Sequence, residues 1–228
     1  FTNSGTVIGD IFLGDGSDAF TSTGGTITGE ITLAGGDDVI TLSDTTVLGS
    51  FFFTTGTKMV TVTNSTLNGG FAEEGAIIDL TITDSDWTIT SDEAATLRTL
   101  DVQGTSTLRI EVDGVNNRAG TILASGSATI SDSTSIVPIL TDVITDQQTF
   151  ILVRAGQLNT NLTFDPASTA STSYMHTIAV VRDPTDQNVI LLKVTRRTAE
   201  ELGLQANTGI YYEASGAGLS QDSVLFTD

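Results

Sequence analysis

The chain has 228 residues, of which 28 are acidic and nine are Lys or Arg, so its formal charge is −19. That balance argues against nucleic acid or anionic lipid as a partner, because phosphate recognition needs clustered Lys and Arg. Only 16% of residues are charged and Gly, Thr, Ser and Asp abound. There is no cysteine for a disulfide, and no apolar run approaches the length of a membrane-spanning helix.

The first hundred residues repeat every twenty. Thr6, Thr26, Thr46 and Thr66 share one column, and Gly9, Gly29, Gly49 and Gly69 another. Four apolar columns accompany them. They are Ile11, Ile31, Phe51, Phe71; Leu13, Leu33, Phe53, broken by Glu73; Phe20, Ile40, Val60, Leu80, Leu100; and Leu42, Val62, Ile82, Val102, with Ser22 the misfit at its start. A fixed period of this size marks a repeat architecture. Inside each unit apolar and polar residues alternate, and Thr, Val and Ile dominate, which is strand chemistry. Stacked in register, each strand pairs with its copy about 4.8 Å away. The apolar columns then become continuous inward ladders, and Thr and Ser wet the outside. The predicted fold is all-β: a single-stranded, right-handed parallel β-helix with about 20 residues per coil and a β-rich C-terminal cap. Glycines are expected at the corners, where positive φ is needed. The ladder positions are expected to be uncharged apart from Glu73, and Trp87 is expected to fill the core.

The solenoid is assigned to residues 1–112, its regularity decaying after Glu73-Glu74. Residues 113–195 lose the twenty-residue beat but stay β-rich. Strands are predicted at 120–124, 128–130, 135–140, 148–153, 177–181 and 189–194, with a surface loop from Pro166 to Ser173. The last three are longer and more apolar than the repeat strands, as suits a cap over exposed strand edges. Leu152, Val180, Leu191 and Val194 are its expected core. Residues 196–228 form a linker, with a helix expected over Arg196–Leu204 and no core pattern through Gly216-Ala217-Gly218.

Several motifs invite chemistry. Leu13–Thr21 approximates the calcium-binding nonapeptide Gly-Gly-x-Gly-x-Asp-x-apolar-x, and Leu33–Thr41 matches it at Gly36, Asp38 and Ile40. Calcium takes about six to eight oxygens, yet the third copy replaces its acid by Lys58. Asp18 and Asp38 are therefore read as structural turn residues, and no metal site is assigned. The single histidine, His176, would be the only base for a Ser–His–Asp triad, and no Gly-x-Ser-x-Gly elbow accompanies it. Asp79, Asp84, Asp86, Asp92 and Glu93 could serve a polysaccharide lyase or hydrolase, which needs two positioned carboxylates. Nothing in the spacing selects a pair, so they are read as a solvated acidic face. No catalytic residue and no cofactor is assigned.

Three stretches resemble the passenger domains of Gram-negative (type Va) autotransporters. They are the repeat Gly-Thr-Ile-Thr-Gly-Glu-Ile-Thr-Leu with Gly-Gly-Asp-Asp-Val-Ile; the stretch Val112-Asp113-Gly114 through Gly120–Ile130 to Thr149–Gly156; and Val194–Leu204. The second is similar to the pertactin-type autochaperone or junction region, the third to the segment joining passenger to translocator. The resemblance implies a non-enzymatic, monomeric stalk displayed at or released from the outer membrane, supporting translocation and adhesion or virulence. Its expected partners are the chain's own C-terminal β-barrel and a host or cell-surface ligand. No barrel sequence follows Asp228 and Phe1 falls within a repeat, so the chain is expected to be a passenger fragment.

Overall fold

Alternating side chains can bury one face of a three-residue strand only if another strand lies on each side, and the chain meets that need by stacking. A computed structural model describes residues 1–142, 144, 146–162, 175–205, 208–210 and 212. Four regular coils come first: β1 (Thr2–Asn3), β2 (Thr6–Ile8), β3 (Ile11–Leu13); β4 (Ala19–Thr23), β5 (Thr26–Thr28), β6 (Ile31–Leu33); β7 (Asp38–Ser43), β8 (Thr46–Leu48), β9 (Phe51–Phe53); and β10 (Gly56–Thr63), β11 (Thr66–Asn68), β12 (Phe71–Glu73). A fifth, less regular turn comprises β13 (Ala76–Thr83), β14 (Asp86–Ile89) and β15 (Ala94–Leu97). Then follow β16 (Thr99–Gln103), β17 (Thr107–Asp113), β18 (Arg118–Ala119), β19 (Thr121–Ile130), β20 (Ser135–Leu140), β21 (Gln148–Thr160), β22 (His176–Arg182) and β23 (Val189–Arg196).

Strands of like position pair in parallel to make three sheets, so the chain is a β-solenoid of about five turns with about 20 residues per coil. The first sheet runs β1-β4-β7-β10-β13-β16-β19-β21-β23-β22, the second from β2 to β17, and the third β3-β6-β9-β12. Register follows the sequence columns: Phe20 aligns with Ile40, Ile40 with Val60, and Val60 with Leu80. All four are buried, as are Ile27, Val47, Leu67 and Trp87 in the second sheet. Each such side chain contributes about 1.5–3 kcal/mol by leaving water. In the third sheet the inward column Ile11, Ile31, Phe51, Phe71 turns aromatic in its last two members, with Phe51 stacked on Phe71 at 5.4 Å and Phe71 edge-on to Trp87 at 5.3 Å. Trp87 is the expected core filler, and its indole N–H donates to the Gly69 carbonyl at 3.1 Å.

Beyond β16 the coils lengthen but the parallel ladder continues. Leu100 aligns with Ala128, and Ala128 with Leu158. The two short strands predicted at 120–124 and 128–130 are one strand, β19, with a register irregularity between Ala124 and Ser127. β20 has the predicted bounds, and β21 extends well past the predicted 148–153. The change of direction comes last. β23 is antiparallel to β21, and β22 is antiparallel to β23.

Four expectations need correction. Leu152, Val180 and Val194 are buried, but Leu191 is only half-buried, because β23 alternates and Leu192 takes the inward parity with Val194. Arg196–Leu204 is not a helix. Arg196 ends β23, and Thr198 opens a single turn in which its hydroxyl accepts from the Glu201 N–H while Glu201 Oε2 accepts from the Thr198 N–H. That reciprocal cap closes at Gly203, whose φ is 65°, before a second turn can form. Glycine supplies positive φ at two of the three corners, in the columns Gly9, Gly29, Gly49, Gly69 and Gly16, Gly36, Gly56, but it shares the corner between the first and second sheets, where Gly24 and Gly104 stand in line with Asp44, Asn64 and Asp84. Finally, the inward ladders are not free of charge, because Lys58 and Asp38 lie within them. The predicted loop Pro166–Ser173 and the stretch Gly216-Ala217-Gly218 lie outside the described residues.

Candidate functional site

The glycine–aspartate turns that resemble a calcium repeat stack where the third sheet returns to the first. Their acids accept hydrogen bonds from backbone amides one coil away. Asp15 Oδ1 accepts from the Gly35 N–H at 3.1 Å, Asp37 Oδ1 from Thr57 at 2.8 Å, and Asp38 Oδ1 from Asp18 at 2.8 Å. Asp10 does the same at the preceding turn, accepting from the Glu30 N–H at 2.8 Å. These are charge-assisted bonds, and they staple coil to coil at the turns, beside backbone bonds such as those from the Gly16 N–H to the Gly35 carbonyl at 2.8 Å and from the Val39 N–H to the Asp18 carbonyl at 2.9 Å.

Lys58 completes this stack. It aligns with Asp38 in β7 and Ile78 in β13, and its side chain is fully buried. Its ammonium donates to Asp38 Oδ2 at 2.5 Å, to the Ala34 carbonyl at 2.7 Å and to the Gly36 carbonyl at 2.9 Å. An ammonium has three donors, and here each finds an oxygen. The positive group that complements the Asp38 carboxylate is thus supplied covalently by the next coil. Among the described residues no three His, Asp or Glu side chains are grouped as metal ligands.

The five carboxylates considered for sugar chemistry are dispersed. Asp79 pairs with Arg98 through Nε at 2.9 Å and through Nη2, and also accepts from the Thr99 hydroxyl at 2.7 Å. Asp84 caps the corner, accepting from the Thr105 N–H at 2.9 Å. Asp86 pairs with Arg109 at 3.3 Å. Only Asp92 and Glu93 share a recess, between β15 and the β17–β18 hairpin. The hydrogen bond from Arg98 holds the Asp79 carboxyl below its ordinary range. A depressed folded-state pKa contributes stability above the unfolded value, about 3.9, that is lost as pH falls through the folded value. The ion pair is partly exposed, which limits its contribution to about 1 kcal/mol or less. Asp79→Asn is therefore expected to lower the melting temperature slightly at pH 7, with the gap to the parent closing as pH falls from 4 to 2. Melting curves across that range check it, and a gap that widens on acidification would contradict the assignment.

His176 is the first residue of β22 and is 6% exposed. Its Nε2 lies 2.8 Å from the Ile144 carbonyl, which can only accept, so the imidazole N–H donates there. The side chain thus links the cap hairpin to the segment ahead of β21. Ile144 is fully buried and packs against Gly114, where an added Cβ would meet its Cγ1 at 2.2 Å. Phe150, Leu152, Val180, Leu192 and Val194 continue the solenoid core into this cap.

The sequence reading missed a second ladder. Thr45, Ser65, Ser85 and Ser106 are buried in one column directly after the positive-φ corner. The Ser65 hydroxyl accepts from the Thr45 N–H at 3.0 Å, Ser85 from Ser65 at 3.0 Å, and Ser106 from Ser85 at 3.2 Å. Each serine hydroxyl also donates to a carbonyl of its own coil at 2.7 Å. A repeated Asp/Asn-Ser/Thr step at Asp44-Thr45, Asn64-Ser65 and Asp84-Ser85 was the available signal. Comparison with known proteins adds no relative: no protein-family model, no curated protein and no solved structure matches this chain.

Proposed function

We propose that this chain is a stalk and folding-nucleus segment of a Gram-negative autotransporter passenger, displayed at or released from the outer membrane. It acts without catalysis. It holds an adhesive or virulence function away from the cell, and its own C-terminal barrel is its partner during export. The observation that carries this reading is the change from parallel to antiparallel pairing at β21. There the β22–β23 hairpin adds to the last parallel strand, and Phe150, Leu152, Val180, Leu192 and Val194 close the core. An antiparallel hairpin forms from residues near in sequence, whereas each parallel pair needs a whole coil to return first. The cap can therefore order early and offer a paired edge to the coil before it. Successive coils then add by nearest-neighbour stacking.

A fragment of residues 113–195 is expected to retain protease-resistant β-structure longer than a fragment of residues 1–100. Limited proteolysis with circular dichroism reads this directly. The reverse order of resistance would remove the folding nucleus from the C-terminal region, and with it the reading.

A further inference from the structure

Where the twenty-residue beat fails, the outer wall of the solenoid opens. The chain after β14 turns at Ser91–Glu93, and β15 pairs with β19 instead of extending the third sheet. The β17–β18 hairpin, with Asn117 at φ 52°, projects beside it. Between them lies an open cleft of about 460 Å³ whose floor is formed by residues of β19 and β21, including Leu123, Thr149 and Ile151. That is within the size range of small-molecule sites, about 300–1,000 Å³.

Two arginines line this cleft, Arg118 from the hairpin and Arg154 from β21. In a chain of net charge −19, cations are expected to be taken up by carboxylates or carbonyls. Lys58, Arg98 and Arg109 are in ion pairs, and Arg182 donates to the Gln187 and Leu158 carbonyls. Arg118 and Arg154 are exposed and, among the described residues, neither side chain forms an ion pair within 4.0 Å or donates a hydrogen bond. The acids beside them are engaged elsewhere. Asp113 stands cross-strand from Arg118, but it accepts from the Asn116 N–H at 2.8 Å and from the Asn116 side-chain amide at 2.6 Å. Glu93 accepts from the Gly70 and Thr90 N–H groups at 3.1 and 3.2 Å and from the Ser50 hydroxyl at 3.3 Å. Asp92 Oδ1 accepts from the Thr90 hydroxyl at 2.7 Å. That bond first, and the charge of Arg118 last, keep the Asp92 carboxyl below its ordinary range, so it is an anion with one oxygen left to accept.

We infer that this cleft binds an acidic saccharide unit, its carboxylate or sulfate on Arg118 and Arg154 and its ring hydroxyls on Asp92, Ser91, Asn117 and Thr149. Free guanidiniums supply charge-assisted, fork-shaped donors for a planar or tetrahedral anion. The neighbouring carboxylate disfavours a compact, multiply charged phosphate and favours a ligand that carries hydroxyl donors. Leu123 and Ile151 are half-buried in the floor, an apolar surface for the C–H face of a sugar ring. The floor shares β21 with the cap, but the Arg118 and Arg154 side chains are exposed and lie outside the core, so replacing them tests the site without touching the stalk reading.

Calorimetric titration of the whole chain tests it. The probes are tetragalacturonate for the carboxylate, a sulfated chondroitin disaccharide for the sulfate, neutral maltotetraose, and inorganic phosphate. At least one acidic saccharide is expected to bind at least tenfold more tightly than maltotetraose and than phosphate; which of them does so identifies the anion. Arg118→Gln with Arg154→Gln is expected to weaken that binding by about tenfold or more. Both side chains are exposed, so the melting temperature should stay unchanged. Equal affinity for neutral and acidic saccharides would overturn the proposal, as would phosphate binding as tightly as the acidic saccharides. Full binding by the double variant would do the same.

Discussion

Lys58→Met is expected to destabilise the solenoid by about 3–5 kcal/mol, the cost of leaving a buried charge without its partner. The substitution keeps the length and apolar stem of the side chain, so little cavity forms. What it removes is the ammonium from Asp38 Oδ2 and from the Ala34 and Gly36 carbonyls. Asp38 is 1% exposed, so its carboxylate then stays in the interior with one oxygen unpaired. Pairing the change with Asp38→Leu should return at least half of the loss. The column continues as Ile78, and an apolar pair there extends an existing ladder. The return stays partial, because the Asp18 N–H and two turn carbonyls lose partners. Urea unfolding of the two single variants and the double variant forms the cycle. Strict additivity would show that Lys58 and Asp38 are not coupled, against the geometry. A Lys58→Met variant as stable as the parent would show that the turn relaxes to admit water.

The same residue shows where sequence reading succeeds and where it stops. Columns such as Phe20, Ile40, Val60, Leu80 were legible because two periods coincide in them, two within the strand and twenty between coils. Lys58 has the parity of Val60 and Val62 in β10 and therefore points inward. Read by residue type, it looked like an acid lost from a turn. Its meaning appears only when Asp38 is placed beside it, one coil earlier. Leu191 fails for a related reason. Val189 and Ile190 are both buried where the β21–β23 register shifts, so counting by twos across that point assigns the wrong parity to the next residues. The lengthened coils from Leu100 to Ala128 and Leu158 were not legible, because nothing local records which distant strand is the neighbour. The Asp92–Arg118–Arg154 cleft is a consequence of that lengthening. Its residues are widely separated in sequence, and no shared motif joins them.

Gly36→Ala is expected to be far more damaging than Gly16→Ala, although the two glycines occupy the same column and have similar backbones. Their φ values are 110° and 124°, conformations that cost an alanine about 1–3 kcal/mol in either place. The surroundings differ within these 228 residues, because Gly16 lies in their first coil and Gly36 is seated on it. A Cβ on Gly16 would meet nothing within 4 Å, whereas one on Gly36 would lie 2.1 Å from the Gly16 carbonyl oxygen. Backbone cannot rotate away as a side chain can, so the coils must separate, and overpacking of this kind adds about 1–3 kcal/mol or more. Gly56 repeats the geometry, its Cβ 2.1 Å from the Gly36 carbonyl, and Gly56→Ala should resemble Gly36→Ala. The Gly16 variant thus measures backbone strain alone, and the difference between the first two measures how closely one coil is seated on the next. Separation at Gly36 would also pull the Gly36 carbonyl from Lys58, so the damage should spread to the buried ion pair. Urea unfolding of the three variants, with amide exchange at Asp18 and Thr57, reads both effects. Equal losses at Gly16 and Gly36 would mean that glycine is needed there for its φ alone. The excess expected at Gly36 and Gly56 instead makes the glycine column the contact that sets the coil spacing at this corner, where no side chain intervenes between carbonyl and Cα.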